Sequence, residues 1–175
     1  MKIKQTIVLS IAMVILSTIA STAQQVKTDY DRGANFNQYK TYSWANVKAS
    51  DPLWVDRIKS SVESALAAKG LTQVESGGDM SITAMEITRN EQTLNTFYDN
   101  GFGGWRWGGF GNATTTTETY KVGTLVVDLF DTQSKKLVWR GSSSGTLSNK
   151  SDKNIKNLNK GVDKMFKHFP PETKG

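Results

Sequence analysis

The chain has 175 residues, a net charge of +6, one histidine and no cysteine. Without cysteine it has no disulfide and no site for a cysteine-linked lipid, so packing alone must hold the fold together. The mild positive charge is far short of the concentrated field expected of a nucleic-acid-binding protein.

Residues 1–23 have the layout of a secretory signal peptide. A positive start, an apolar run and small residues precede a cut before Gln24: Lys2, Lys4, residues 7–19, Ser21 and Ala23. A membrane anchor is the alternative, but the run is shorter than the ~20 apolar residues that cross a bilayer. We therefore expect a soluble periplasmic or otherwise exported protein. It has no transmembrane span in the mature chain and no lipid anchor.

Cleavage leaves 152 residues (175 minus 23) and a charge of +4, since Lys2 and Lys4 are removed. That length suits one domain with a real core, so we predict a single domain over residues 24–175. Its first elements are short strands at residues 26–30 and 41–44. Turn residues at 31–35 separate them, which favours a hairpin or two connected edge strands.

The most regular pattern in the chain predicts a helix that begins after Asp51. Asp51 can accept a free backbone N–H, and Pro52 at the first helical position loses no hydrogen bond. Gly70 is placed to end the helix in a left-handed conformation. Spacings of three and four put an apolar face on one side, formed by Trp54, Ile58, Val62, Ala65 and Leu66.

Further strands follow this helix. Residues 71–74 and 80–88 predict two of them, with the turn at Gly77 and Gly78. The alternation within 80–88 changes phase near Ala84 and Met85, which favours a β-bulge or a strand buried on both faces.

The second half of the chain predicts a hairpin. Residues 114–120 are threonine-rich and β-prone, and residues 122–130 form the strongest strand pattern. A polar turn at 131–136 leads into a return strand at 137–147, so these two strands should pair antiparallel.

The last element is a helix that begins near Ser151 and ends at Pro170 and Pro171. Its apolar stripe comprises Ile155, Leu158, Val162, Met165, Phe166 and Phe169, and its lysines are Lys153, Lys156, Lys160, Lys164 and Lys167. The lysines predict a solvated face, with anionic lipid or cell wall as the alternative. The element order predicts an α+β two-layer sandwich, mainly antiparallel, with two helices on one face.

The sequence shows no catalytic constellation. His168 is the single histidine and lies in the last turn of the final helix, where it suits free carbonyl groups. One histidine and no cysteine exclude a zinc site of the usual kinds, and no nucleophile elbow supports a triad. We therefore predict no catalytic residues, no metal and no cofactor.

Asp128 is the one carboxylate inside a strongly apolar strand. A charge there must be solvated or paired, and Arg140 on the neighbouring strand is the natural partner. A hydrolase that uses Asp128 with a second acid is the catalytic alternative. Asp131 is interpreted as the residue that shapes the following turn.

Residues 96–113 form a predicted glycine- and aromatic-rich loop around GFGGWRWGGFG at 101–111. No Lys-Ser or Lys-Thr pair and no helix follow it, so it lacks the context of a phosphate-binding loop. The rings could cover the domain's own sheet, stack on sugars or lipid, or mediate self-association or partner binding. The candidate interaction surface comprises Phe102, Trp105, Arg106, Trp107 and Phe110.

Several phrases resemble domain-of-unknown-function family 4136: VKTDYDRGANFNQYKTYSW, AAKGL, KVGTLVVDLFDTQSKKLVWRGSSSG and the closing FPP. The Gly/aromatic segment between them adds to the resemblance, which covers residues 26–171. It implies a bacterial envelope protein, in a family whose members often carry a lipidated cysteine at the mature start. This chain has STAQQ there, which favours a soluble periplasmic form. The resemblance implies no activity and transfers no catalytic residues.

Three functions follow from these patterns. The favoured one is an exported, non-catalytic binding or structural module of the cell envelope. The second is a glycan or peptidoglycan binder that uses Trp105 and Trp107. The third is a carboxylate-dependent hydrolase built on Asp128. The expected partners are an envelope protein, a second copy of the chain or cell-wall glycan, and not nucleic acid.

Overall fold

The computed structural model of the protein describes residues 24–98 and 113–172. Within them lie six strands, one short 3₁₀ helix at Phe36–Gln38 and two α-helices. The strands are β1 (Gln25–Tyr30), β2 (Thr41–Lys48), β3 (Thr72–Gln73), β4 (Met80–Tyr98), β5 (Ala113–Asp131) and β6 (Leu137–Thr146). The α-helices are α1 (Leu53–Ala67) and α2 (Ser151–Phe166).

The strands form one sheet in the order β1-β6-β5-β4-β2-β3. Three neighbouring pairs are antiparallel: β1 with β6, β6 with β5, and β5 with β4. The second of these is the predicted β5–β6 hairpin. β2 pairs parallel with both β4 and β3, because α1 carries the chain back to the end from which β2 started. The α+β prediction is therefore confirmed, with a mixed rather than purely antiparallel sheet.

The expected hairpin of the first two strands is wrong. β1 lies at one edge of the sheet against β6, whereas β2 lies near the other edge, so β2 is not an edge strand either. Their connection contains Phe36, a core residue that contacts the rings of Tyr39 and Phe169 edge-on at centroid distances of 5.9 Å. Burying that ring takes the connection across the end of the core rather than into a tight turn.

The predicted start and end of α1 are confirmed. The Asp51 carboxylate accepts a hydrogen bond from the Leu53 N–H at 2.9 Å. At the other end Gly70 has φ +80°, and the Leu71 N–H donates to the Leu66 carbonyl at 3.1 Å. This is the glycine-terminated helix end expected from the sequence.

Neither of the two features predicted from the phase change in β4 is present in that strand. β4 stays in continuous register with β5 along its whole length, and the irregularity lies instead in β2, between Trp44 and Asn46. Ala84 is buried, but Met85 is 47% exposed on the opposite face, so the strand is not buried on both sides.

Aromatic side chains fill the core at the end of the sheet where the chain leaves α2. Trp139 stacks on Phe166 at a centroid distance of 4.7 Å, and Phe169 meets Trp139 edge-on at 5.5 Å. All three are at most 3% exposed. Trp139 lies over Gly141, whose missing side chain leaves room for the indole.

β4 and β5 continue as a two-stranded ribbon beyond the rest of the sheet. β2 pairs with β4 only as far as Met85, and β6 pairs with β5 only from Val122 onward. β4 and β5 nevertheless remain paired out to Tyr98 and Ala113. Tyr98 lies 13 residues beyond Met85 (98 minus 85), roughly 40 Å past the end of the β2 pairing. It lies nine residues beyond Arg89 (98 minus 89), the partner of Val122, so the two-stranded part is roughly 30 Å long.

The variants Gly78→Ala and Gly77→Ala distinguish two reasons for glycine in this turn. One is close backbone contact at Gly78, and the other is the positive φ angle of Gly77. A Cβ on Gly78 would lie 2.6 Å from the Tyr42 carbonyl carbon and 2.8 Å from the Ser43 nitrogen, both backbone atoms that cannot move aside. Gly77 has φ +70° but no atom within 4 Å of that position. We expect about 3 kcal/mol lost in Gly78→Ala and about 1 kcal/mol in Gly77→Ala. Urea denaturation measures both, and equal losses would contradict close backbone approach as the reason for Gly78.

Candidate functional site

The helix-facing side chains of β4, β5 and β6 change size along the sheet. Cross-strand pairing aligns them in rows, and each row contains one residue from each strand. From the aromatic end toward the ribbon the rows are Ile82–Leu129–Trp139, Ala84–Val127–Gly141, Glu86–Leu125–Ser143 and Thr88–Gly123–Gly145. Large apolar residues thus give way to small and polar ones.

A cavity of about 380 Å³ lies where the rows become small. It is bounded by the last two rows and by the N-terminal parts of α1 and α2. Its apolar wall is formed by Trp54, Ile58, Leu125, Leu147 and Leu158. The volume falls in the range of small-molecule sites, which combine an apolar lining with a few placed polar groups.

Glu86 contributes a carboxylate to this cavity. One oxygen accepts a hydrogen bond from the Ser50 N–H at 2.9 Å, and the other accepts one from the Thr88 hydroxyl at 2.5 Å. Among residues 24–98 and 113–172, no lysine or arginine nitrogen lies within 4.0 Å of it. A carboxylate has about four lone-pair positions, so Glu86 can still accept from a ligand.

Ser143 lies at the other end of the same row, with its hydroxyl against Gly161 of α2. The residue is 6% exposed, and its Oγ has no hydrogen-bond partner in the described part of the chain. An unpaired buried hydroxyl costs about 1–3 kcal/mol, so native proteins rarely retain one without a reason.

The start of α2 is fixed by side-chain contacts at the mouth of the cavity. Asn154 clamps the backbone of Ser148, accepting from its N–H and donating to its carbonyl, both at 2.7 Å. The Gln24 amide donates to the Asn157 carbonyl at 2.8 Å. These contacts hold the first turns of α2 while leaving the Ser143 hydroxyl unpaired.

The expected Asp128–Arg140 pair forms on the opposite, open face of the sheet. Arg140 Nε and Nη2 donate to the two carboxylate oxygens at 2.6 Å each. Arg140 also lies opposite Asp29 of β1, which places Asp29 two strands, roughly 10 Å, from Asp128. That separation does not remove the hydrolase hypothesis, but both Asp128 oxygens are already bound by Arg140.

Asp131 shapes its turn as expected. Its Oδ1 accepts from the Ser134 N–H at 2.6 Å and the Ser134 hydroxyl at 2.8 Å, and Oδ2 accepts from the Tyr39 hydroxyl at 3.0 Å. Hydrogen bonds to the Ser134 backbone and side chain lower the pKa of Asp131 below its usual value. These contacts are structural.

Of the remaining predicted site residues, Lys153 lines the cavity. The others lie away from the cavity or outside the described residues. Phe102, Trp105, Arg106, Trp107 and Phe110 belong to the second group. His168 is exposed just after α2. Lysines of α2 are exposed along the helix, which agrees with a solvated face. In the described ranges, no group of three or more His, Cys, Asp or Glu side chains is placed to hold a metal ion.

Sequence reasoning did not find the cavity, although the signal is present in the strand patterns. In GTLVVDLF and LVWRGSSSG, core-facing positions are expected to be apolar. At Gly123, Ser143 and Gly145 they are small or polar instead. Glu86 shows the same break in β4. Aligning the breaks requires the strand register, which the sequence does not contain.

A family model matches residues 26–171 and is described as "Domain of unknown function (DUF4136)". The chain belongs to this family. No curated protein matches the DUF4136 chain. Neither helix in the described part of it has the length and apolar character needed to cross a bilayer.

Several solved structures are similar to this DUF4136 domain. A PDZ domain protein from Parabacteroides distasonis is 16% identical with a TM-score of 0.58, over 95% of this chain and 41% of that one. A PelC dodecamer from Paraburkholderia phytofirmans is 13% identical with a TM-score of 0.46, over 81% and 96%. A minor lipoprotein from Acinetobacter baumannii is 13% identical with a TM-score of 0.34, over 74% and 88%. The chain thus spans less than half of the PDZ domain protein, and its likeness to that protein indicates a shared fold alone.

Gly161→Ala should test whether the Ser143 hydroxyl limits the approach of α2. A Cβ on Gly161 would overlap Ser143 Oγ and lie 2.5 Å from Gln24 Nε2. Gln24 can shift, but Ser143 is buried, so we expect a loss of about 1–3 kcal/mol. In a Ser143→Gly background the same change should stabilise by up to ~1 kcal/mol, because alanine favours helix. Thermal unfolding of the four proteins completes the cycle, and an identical effect in both backgrounds would exclude this contact.

Proposed function

We propose that this protein is an exported, non-catalytic binding module of the cell envelope, and that the cavity beneath the N-terminal parts of α1 and α2 is its ligand site. The observation that carries the proposal is a cavity of about 380 Å³ that combines an apolar wall with the Glu86 carboxylate, which has no lysine or arginine beside it in the described part of the chain. A bound molecule can donate to the free lone pairs of Glu86, and the apolar wall can cover the rest of that molecule.

Export is supported by the sequence. The first 23 residues combine a positive start, an apolar run and a small-residue cleavage site. The first strand begins at Gln25, directly after the predicted cut. The chain also keeps its fold without cysteine, so it needs no oxidising step during export.

A binding role rather than a catalytic one is supported by how the cavity's carboxylates are used. Asp51 accepts the Leu53 N–H at the start of α1, and Glu86 accepts the Ser50 N–H and the Thr88 hydroxyl. Both therefore order the chain around the cavity. The lining formed by the described residues contains no histidine, cysteine or tyrosine that could work with them as a base or nucleophile.

Native mass spectrometry of the protein from a bacterial periplasmic fraction tests export and ligand binding together. We expect a chain that begins at Gln24 and carries a small-molecule adduct. A Cβ on Gly145 would meet only Gln24 Cγ, at 3.8 Å, so Gly145→Leu can fill the cavity and should lose the adduct. Thr117→Leu, on the exposed ribbon, is the control and should retain it. A chain that keeps residues 1–23 would contradict export, and an adduct unaffected by Gly145→Leu would contradict the site.

We further propose a second contact surface, formed by Phe102, Trp105, Arg106, Trp107 and Phe110, for an envelope partner or a second copy. The observation that favours it is the ribbon. Described residues 89–94 and 116–119 are all exposed, and the strands that lead into the aromatic segment end roughly 40 Å beyond the β2 pairing. Aromatic residues are enriched in such contact surfaces.

A photo-crosslinking amino acid at Trp105, irradiated in living cells, tests this surface. We expect crosslinks to another protein or to a second copy, with Thr117 as the control position on the ribbon. Crosslinks to cell-wall glycan would support the glycan alternative. Crosslinks confined to the chain itself would show that the rings cover their own sheet.

A further inference from the structure

One row of residues across the sheet beneath the cavity has a polar residue at each end and an apolar residue between them. Glu86, Leu125 and Ser143 lie side by side on three adjacent strands. The carboxylate and the hydroxyl are therefore two strand spacings, roughly 10 Å, apart. Leu125, 5% exposed, lies between them. A ligand lying across the strands from Glu86 would meet a carboxylate and then an apolar floor.

The balance of charge around the cavity favours a cation over an anion. Asp51 and Glu86 contribute two carboxylates to the lining, and Lys153 contributes one ammonium group on an exposed side chain. The positive N-termini of both helices already face carboxylates: Asp51 accepts from Leu53 at the start of α1, and Asp152 lies in the first turn of α2. An incoming anion would face Glu86 without a counter-ion beside it, whereas a cation would form a charge-assisted hydrogen bond.

We infer, building on the proposed ligand site, that the cavity binds a small organic ammonium ion with an apolar body. The ammonium group donates to the free lone pairs of Glu86. The body lies over Leu125 and against the apolar wall at Trp54, Ile58 and Leu158.

Three probes that differ only in the head group test this inference: hexylamine, hexanol and hexanoate. Titrations followed by amide chemical shifts should give the order amine, alcohol, carboxylate. We expect hexylamine to bind about tenfold more tightly than hexanol, since a charge-assisted hydrogen bond is roughly twice as strong as a neutral one. The ranking is measured on the wild-type protein and needs no variant.

Glu86→Gln assigns the preference to one side chain. Glutamine can still accept from the Ser50 N–H, so we expect a folded protein whose amine and alcohol affinities are equal. Glu91→Gln is the matched control, because Glu91 is exposed on the same strand and does not line the cavity. It should keep the tenfold preference.

The outcomes separate this inference from the proposed function. Equal binding of hexanol and hexylamine to the wild type, or tighter binding of hexanoate, would overturn the ammonium inference and leave a ligand cavity in place. A preference that survives Glu86→Gln would also overturn it. Absence of binding by all three probes, together with no adduct in native mass spectrometry, would overturn the ligand site itself.

Discussion

The two helices pack on a sheet whose helix-facing side chains change from large to small along the strands. This change in side-chain size determines where the helices contact the sheet and where a cavity forms. At one end, the stacked rings of Trp139 and Phe166 set how closely α2 can approach. Farther along, Gly161 lies so close to Ser143 that a Cβ would overlap the Ser143 hydroxyl, so α2 can come no closer to the sheet. The next row contains Thr88, Gly123 and Gly145, which have no large side chain to fill the space beneath the helices, and that space is the cavity.

The elements of this fold were largely predictable, because each depends on neighbours in sequence. Asp51, Gly70 and the apolar stripe between them are enough to define α1, and the β5–β6 hairpin follows from two strong strand patterns and a short turn. The pairing of β1 and β2 was not predictable in the same way. It depends on Phe36, whose burial against Phe169 links residues 133 positions apart (169 minus 36), and local pattern carries no such information.

The candidate site was harder to predict than the fold for a related reason. Its polar residues lie on β4 (Glu86) and β6 (Ser143), which are separated in the sheet by β5. The helices α1 and α2 cover the site on one side. Each residue taken alone looks like an ordinary interruption of a strand pattern. Asp128, which attracted attention because it interrupts the strongest strand, has a complete structural explanation in Arg140. A polar residue in a core strand is informative only when its partners are known.

β4 and β5 form the ribbon and also part of the cavity lining, so the two features are structurally connected. Their register is unbroken from Met80 to Tyr98, so the rows that floor the cavity continue directly into the ribbon. A two-stranded ribbon alone is marginally stable in water, and its order must come from the sheet at its base. The base is where Gly123 admits Leu147, whose N–H donates to the Lys121 carbonyl at 2.8 Å. Leu147 is therefore both a wall of the cavity and the last residue to support β5 before the ribbon begins. A molecule bound against Leu147 would contact the same residue that supports the base of the ribbon. The cavity and the ribbon therefore share Leu147 as a structural support.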